Sequence, residues 1–261
     1  MKQQEACLVC GEALQYFEHG RELECVSCHR KLIANAACKA GHYVCDRCHA
    51  ERATDHVLSL AQSTASKNPL AIASEMMRDP YVHMHGPEHH VLVGAALLAA
   101  YENAGGALDR PAALAEMKRR GAQIPGGACG FFGCCGAAVS AGIFVSLATG
   151  ATPMATDAFG LSNRMTAAAL SSIGALGGPR CCKRDSFLAI ERATAFCAEF
   201  LHVQMDAPDA FVCAFYPRNR ECLGKRCPFH PAAQAESARA MRSSPEAGLH
   251  PSPRGKRRPP V

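Results

Sequence analysis

The first fifty residues place cysteine and histidine at the spacings that metal ions select. Cys7 and Cys10, Cys25 and Cys28, and Cys45 and Cys48 are each separated by two residues, and Cys38 and His42 by three. A Cys-x2-Cys knuckle bends the backbone so that both thiolates face one ion. Four pairs supply eight ligands, the number that two tetrahedral zinc ions require. The spacing leaves the pairing open. In sequential order the first two pairs share one ion and the last two the other. In cross-braced order the first pair joins the third, and the second joins the fourth. His29 and His49 each follow a pair and could replace a neighbour. So short a segment has few apolar residues for a core, so metal must supply much of its folding energy.

Nine more cysteines lie downstream. Cys197 sits on the apolar face of a predicted helix and reads as a core residue. The other eight fall at predicted helix ends and in loops. Cys213, Cys222 and Cys227 share a loop with Pro217, Gly224 and Pro228. The Cys227-Pro228 pair resembles the ending of ferredoxin cluster motifs, although the spacings match no standard ferredoxin pattern. Adjacent cysteines rarely bind one ion without strain, so the doublets Cys134-Cys135 and Cys181-Cys182 each imply two separate jobs. Arg180, Lys183 and Arg184 flank the second doublet, and Arg218, Arg220, Lys225 and Arg226 surround the C-terminal loop. Cations beside thiols favour the thiolate, offset the charge of an iron–sulfur cluster, or hold an anion. The ligands expected for a cluster or other thiolate-bound metal are Cys129, Cys134, Cys181, Cys213, Cys222 and Cys227. Within each doublet the neighbour is an alternative.

A second chemistry is open to the same residues. The run "YVHMHGPEHHV" gathers His83, His85, Glu88, His89 and His90 at a helix start, where the positive helix end favours neutral imidazole. In that reading Cys135 or Cys182 is a reactive thiolate, His85 or His89 its base, and Arg180 and Arg184 an anion site.

The elements that must position these groups can be read from helix signals. Residues 1–58 form the metal module, 59–67 a polar linker, 68–231 a helical cysteine-rich domain and 232–261 a disordered basic tail. Asn68-Pro69 opens a helix to about residue 78, and Gly86-Pro87 opens one that Gly105-Gly106 closes. Asp109 and Pro111 open a third, ending at Gly121. Further helices are predicted over about 132–149 and 159–174, and from an Asp185 cap to about Val203. No convincing alternating strand follows residue 60. The fold class is therefore mainly α: a helical bundle preceded by a small zinc-ribbon or cross-brace-like module.

Bulk properties narrow the function classes. The formal charge of +5 is concentrated in 232–261, which has six Lys and Arg against two Glu. The remainder is near neutral and lacks a basic nucleic-acid surface. Residues 121–156 contain no charged side chain, long enough for a membrane span. The stretch is broken by Pro125 and several glycines, so it reads as a buried helix. The start "MKQQEACLVCGE" has no apolar signal region, and sixteen cysteines then point to a reducing, cytoplasmic setting.

The segments "HGPEHHVLVGAALL", "IPGGACGFFGCCGAAVSAGIF", "GGPRCCKRDSFLAIERA" and "CAFYPRNRECLGKRCPFHP" resemble an uncharacterised cysteine-rich family of anaerobic bacteria and archaea, a domain of unknown function. Some of its members are associated with S-adenosylmethionine-dependent methyltransferases. The resemblance covers about residues 83–231. It implies metal binding in an anaerobe and assigns no catalytic residue. The chain itself shows no methyltransferase glycine loop after a strand.

Three functions are open at this point. The first is a metalloprotein with about two zinc ions in the N-terminal module and an iron–sulfur cluster or other thiolate-bound metal in the helical domain. It would serve redox, sulfur- or methyl-transfer chemistry with a methyltransferase or redox enzyme as partner. The second is a thiolate-dependent enzyme with an arginine-lined anion site. The third is a non-enzymatic zinc scaffold for protein or nucleic acid.

Overall fold

The computed structural model describes residues 7, 9–208 and 210–236. An antiparallel hairpin comes first, β1 (Leu14–Glu24) pairing with β2 (Lys31–Cys38). The register runs from Leu14 opposite Cys38 to Glu24 opposite Lys31 and slips between Tyr16 and Arg21. The hairpin thus leaves Cys10 and Cys38 at its open end and Cys25 and Cys28 in its turn. What it buries is Cys25, Cys45 and Cys48, with Leu32, Tyr43 and Val44 around them.

The rest is helical: α1 (Asp46–Ser63), α2 (Pro69–Met76), α3 (His89–Asn103), α4 (Arg110–Gly121), the single turn α5 (Ala128–Phe131), α6 (Gly136–Thr149), α7 (Asp157–Leu176) and α8 (Cys182–Phe196). Two starts follow the sequence signals directly. The Asn68 side chain accepts from the Ala71 N–H at 3.0 Å, and Asp109 accepts from Ala112 at 3.1 Å, each with proline in the first turn. Helix α3 has no polar face, and every residue from His89 to Tyr101 is buried. It is the central post, and α1, α2, α4, α6 and α8 pack around it. Leu92, Leu97, Leu98, Met76, Met117, Phe144, Met165 and Phe187 fill the core, joined by Cys197. A Cβ on Gly121 would lie 2.7 Å from the His90 carbonyl oxygen, so only glycine lets α4 approach α3 there.

Three expectations change. The linker expected over 59–67 begins inside α1, because Ala53, Val57 and Ala61 bury one face of that helix in the main core. Helix α8 starts before Asp185: Cys181 is its N-cap, with its Sγ accepting from the Arg184 N–H at 3.4 Å. The predicted run to Val203 also breaks, since Cys197–Leu201 forms a π turn. Among the described residues the hairpin strands are followed by no further sheet. No helix among them is long and apolar enough to cross a membrane, and the uncharged stretch supplies the buried 14-residue α6. Of the expected tail, 232–236 continue a helical turn and the remainder lies outside the described residues.

Candidate metal centres

The N-terminal ligands fall into two groups, Cys7, Cys10, Cys38 and His42, and Cys25, Cys28, Cys45 and Cys48. Within each, the donor atoms all lie within 4.8 Å of one another. The first pair joins the third and the second joins the fourth, which is the cross-braced order. Hairpin register dictates it, because β2 returns Cys38 to the open end beside Cys10, where their sulfurs stand 3.7 Å apart. The Val26 N–H bonds the Tyr43 carbonyl at 2.9 Å, which brings Cys45 to the turn, 3.7 Å from Cys28. Backbone N–H groups of Val9, His42 and Cys45 reach the sulfurs of Cys7, Cys38 and Cys25. Burial pushes the Cys25 thiol up, but N–H bonds from Cys45, Cys28 and Ser27 outweigh it and bring the pKa down to about 6. Burial, then neighbouring thiols, pushes Cys48 up to about 12. Thiols so close cannot all ionise without a cation between them. Both groups can hold a tetrahedral metal ion.

In the helical domain, Cys181, Cys213, Cys222 and Cys227 line one pocket. The loop carrying the last three is closed by bonds from the Cys213 N–H to Phe229 and from the Cys227 N–H to Gly224. Each sulfur is met by donors. Cys181 accepts from Arg184 and from the Asn219 amide at 3.1 Å, Cys213 from the Phe215 N–H and Cys222 from the Gly224 N–H, both at 3.4 Å. The N–H groups of Phe229 and His230 serve Cys227. Phe187, Phe211 and Phe229 stack edge to face around the floor. Two cations are buried in the wall. Lys183 is 1% exposed, with Nζ 3.4 Å from the Val82 carbonyl and 5.0 Å from the Phe215 ring centre. Burial brings its pKa down to about 8. Arg184 bonds Asp185, Gly177 and Pro179 and keeps a buried Nη1 without a partner. Burial lifts Cys181 to about 11, so its thiol stays protonated until a cation arrives.

A second cavity, of about 190 Å³, lies across the Cys181-Cys182 peptide. Cys129, Cys135, Cys182, His85 and His89 line it, with Asp185 and Arg180. The doublet splits, Cys181 to one pocket and Cys182 to the other, because the α8 start turns consecutive side chains apart. The glycine-rich segment shapes the opposite wall. Gly127, at φ +83, turns the chain into α5 and presents Cys129. At Gly136 a Cβ would lie 2.2 Å from the His90 ring. Cys135 caps α6, and burial followed by the Asp185 charge raises it to about 11. His89 is 1% exposed, and burial and the Lys183 charge hold it neutral, down to about 4.

The expected ligand set is thus divided. Cys181, Cys213, Cys222 and Cys227 converge, whereas Cys129 belongs to the second cavity. Cys134 lines neither, since Gly133 at φ +63 turns the chain and Cys135 is the residue that enters. Arg184 faces the four-thiol pocket rather than the histidines. Asn219 and Glu221 carry no spacing signal in the sequence. The first bonds Cys181 and the second His85 at 3.1 Å.

No curated protein and no solved structure matches the chain. A family model described as a family of unknown function, DUF5714, matches residues 57–230, which include both helical cavities and exclude the N-terminal ligand pairs. With two thirds of its length matched, the chain belongs to DUF5714, a family of unknown function.

Proposed function

We propose that this chain is a redox metalloprotein whose helical domain carries an iron–sulfur cluster on Cys181, Cys213, Cys222 and Cys227, with two structural zinc ions in the N-terminal module. The observation that carries the reading is the convergence of four thiols from two distant segments on one pocket, each sulfur already met by N–H donors. Unlike the N-terminal donors, these four are not gathered within 4.8 Å among the described residues. Buried Lys183 and Arg184 oppose the negative charge that such a centre brings. When bound, the cluster would supply one-electron chemistry. The protein's own part is to hold the thiolates, exclude water with its aromatic floor and tune the potential through N–H···S bonds.

Arg218, Arg220, Lys225 and Arg226 stand exposed on the loop that holds three of the ligands. They favour a partner protein with an acidic face, docked close to the cluster. Anaerobic purification with iron and sulfide assays tests the reading. We expect a coloured protein with cluster iron and acid-labile sulfide that Cys213→Ser and Cys222→Ser each lose, while zinc stays at two per chain. A colourless wild-type protein containing zinc alone, including after anaerobic reconstitution, overturns it.

A further inference from the structure

We propose that the cavity across the Cys181-Cys182 peptide is a second metal centre, in which His85 Nδ1, His89 Nε2 and the thiolates of Cys182, Cys135 and Cys129 bind a divalent transition-metal ion. The histidines carry the argument. His89 places Nδ1 3.1 Å from the Gly86 carbonyl, which only accepts, so Nδ1 bears the proton. Its Nε2 is then a lone pair, buried at the cavity and without a partner. His85 repeats the arrangement with its nitrogens exchanged. Nε2 faces the Glu221 carboxylate at 3.1 Å, and Nδ1 is buried and unpartnered. A ring that donates to a carbonyl or carboxylate on one side and offers a bare nitrogen on the other is oriented as metal-ligating imidazoles are.

The remaining donors agree. Cys182 receives the Gly86 N–H, and Cys135 receives N–H groups from Ala137 and Ala138 at the start of α6. Asp185 adds a carboxylate. The atoms that converge here are mainly lone-pair donors, with Arg180 the cation in the wall. Such a lining suits a cation, and an anionic substrate would need the opposite. Mixed imidazole and thiolate donors select zinc or iron over calcium or magnesium. Among the described residues, no three of these donors lie within 4.8 Å of one another, so the ion must draw the side chains inward as it binds.

Cobalt(II) is the probe, since it occupies zinc and iron sites and reports thiolate ligation by its absorbance. The full-length Cys213→Ser/Cys222→Ser chain, with the four-thiol pocket disabled, should bind three cobalt ions: two in the N-terminal module and one here. Adding His89→Gln or Cys182→Ser should reduce the number to two, with unchanged far-ultraviolet circular dichroism. Glu221→Gln, on a half-exposed side chain, should keep the third ion at an affinity reduced 10–100-fold, as loss of a ligand's carboxylate partner does. Only two ions in the parent variant, or a third that survives both His89→Gln and Cys182→Ser, overturns the proposal. Cluster content of wild-type protein is measured separately, and His89→Gln should leave its iron and sulfide intact. The two readings therefore fail independently.

Discussion

In the N-terminal module the buried centre consists of Cys25, Cys45 and Cys48, whereas the helical domain buries Leu92, Leu97, Leu98, Phe144 and Phe187 and keeps most of its cysteines at cavity walls. In the first region the ligands are the core, so the ion does the work that apolar burial does elsewhere. In the second region, packing fixes the backbone first and the thiols are carried on a finished scaffold. Donor spacing reflects this. The N-terminal groups are close enough to grip a single ion, whereas the donors of the histidine cavity stand apart around about 190 Å³ of open volume.

Stripping metal from the full chain is the hardest test of that contrast. A structural zinc contributes on the order of 10 kcal/mol to folding in small modules. Chelation should therefore unfold residues 9–44 and leave the helices standing. Hydrogen exchange followed by mass spectrometry should show the hairpin amides losing protection while those of α3 and α6 keep theirs. A hairpin that remains protected without metal would break the comparison.

The converse experiment attacks the helical core. Phe144 is fully buried and meets Tyr101 edge to face at 5.6 Å. Phe144→Ala should cost about 3–5 kcal/mol through lost burial and the cavity left behind. Denaturant unfolding measures this, and the zinc content of the N-terminal module should not change.

The smallest effect sharpens the contrast by pH. Hydrogen bonds from Arg119 and Arg120 pull the partly exposed Glu116 carboxyl on α4 down to about 2 from its ordinary 4.5. A folded pKa below the unfolded one stabilises above 4.5, and the contribution is lost as the pH falls towards 2. Glu116→Gln should lower the melting temperature of the helical domain slightly at neutral pH, with the gap closing over that acid window and shrinking in high salt. Metal release from the hairpin should follow the same pH curve in both proteins.

Local signals made much of this molecule legible from sequence. The eight N-terminal ligands announce themselves because each pair spans only four or five residues, and the caps Asn68 and Asp109 because each acts within its own helix. Pairing of the ligands was not legible, since it depends on which residue β2 sets beside Cys10. Helix α1 leaves little trace in the sequence because its core face is built from Ala53, Val57 and Ala61, small residues with weak periodic contrast, and because its N-cap position is a cysteine ligand. The start of α8 is hidden for a similar reason, as a thiol serves as its cap. That the two cysteines of a doublet have different jobs follows from chain geometry alone. Which cavity each one enters depends on elements far away in sequence. Glu221 carried no local signal at all, because its partner His85 lies 136 residues earlier.

Helix α1 is one uninterrupted rod from Asp46 to Ser63. The ligands Cys45 and Cys48 sit at its first turn, and Ala61 is wedged in the main core near its other end. Immediately after Cys48, His49 lies flat against His83, with ring centres 3.6 Å apart, two residues before His85. The hairpin therefore works like the dial on a shaft that is seated in the machine. Its angle is set where the ion clamps the rod's tip, and the bearing nearest that tip is the loop leading to the histidine cavity.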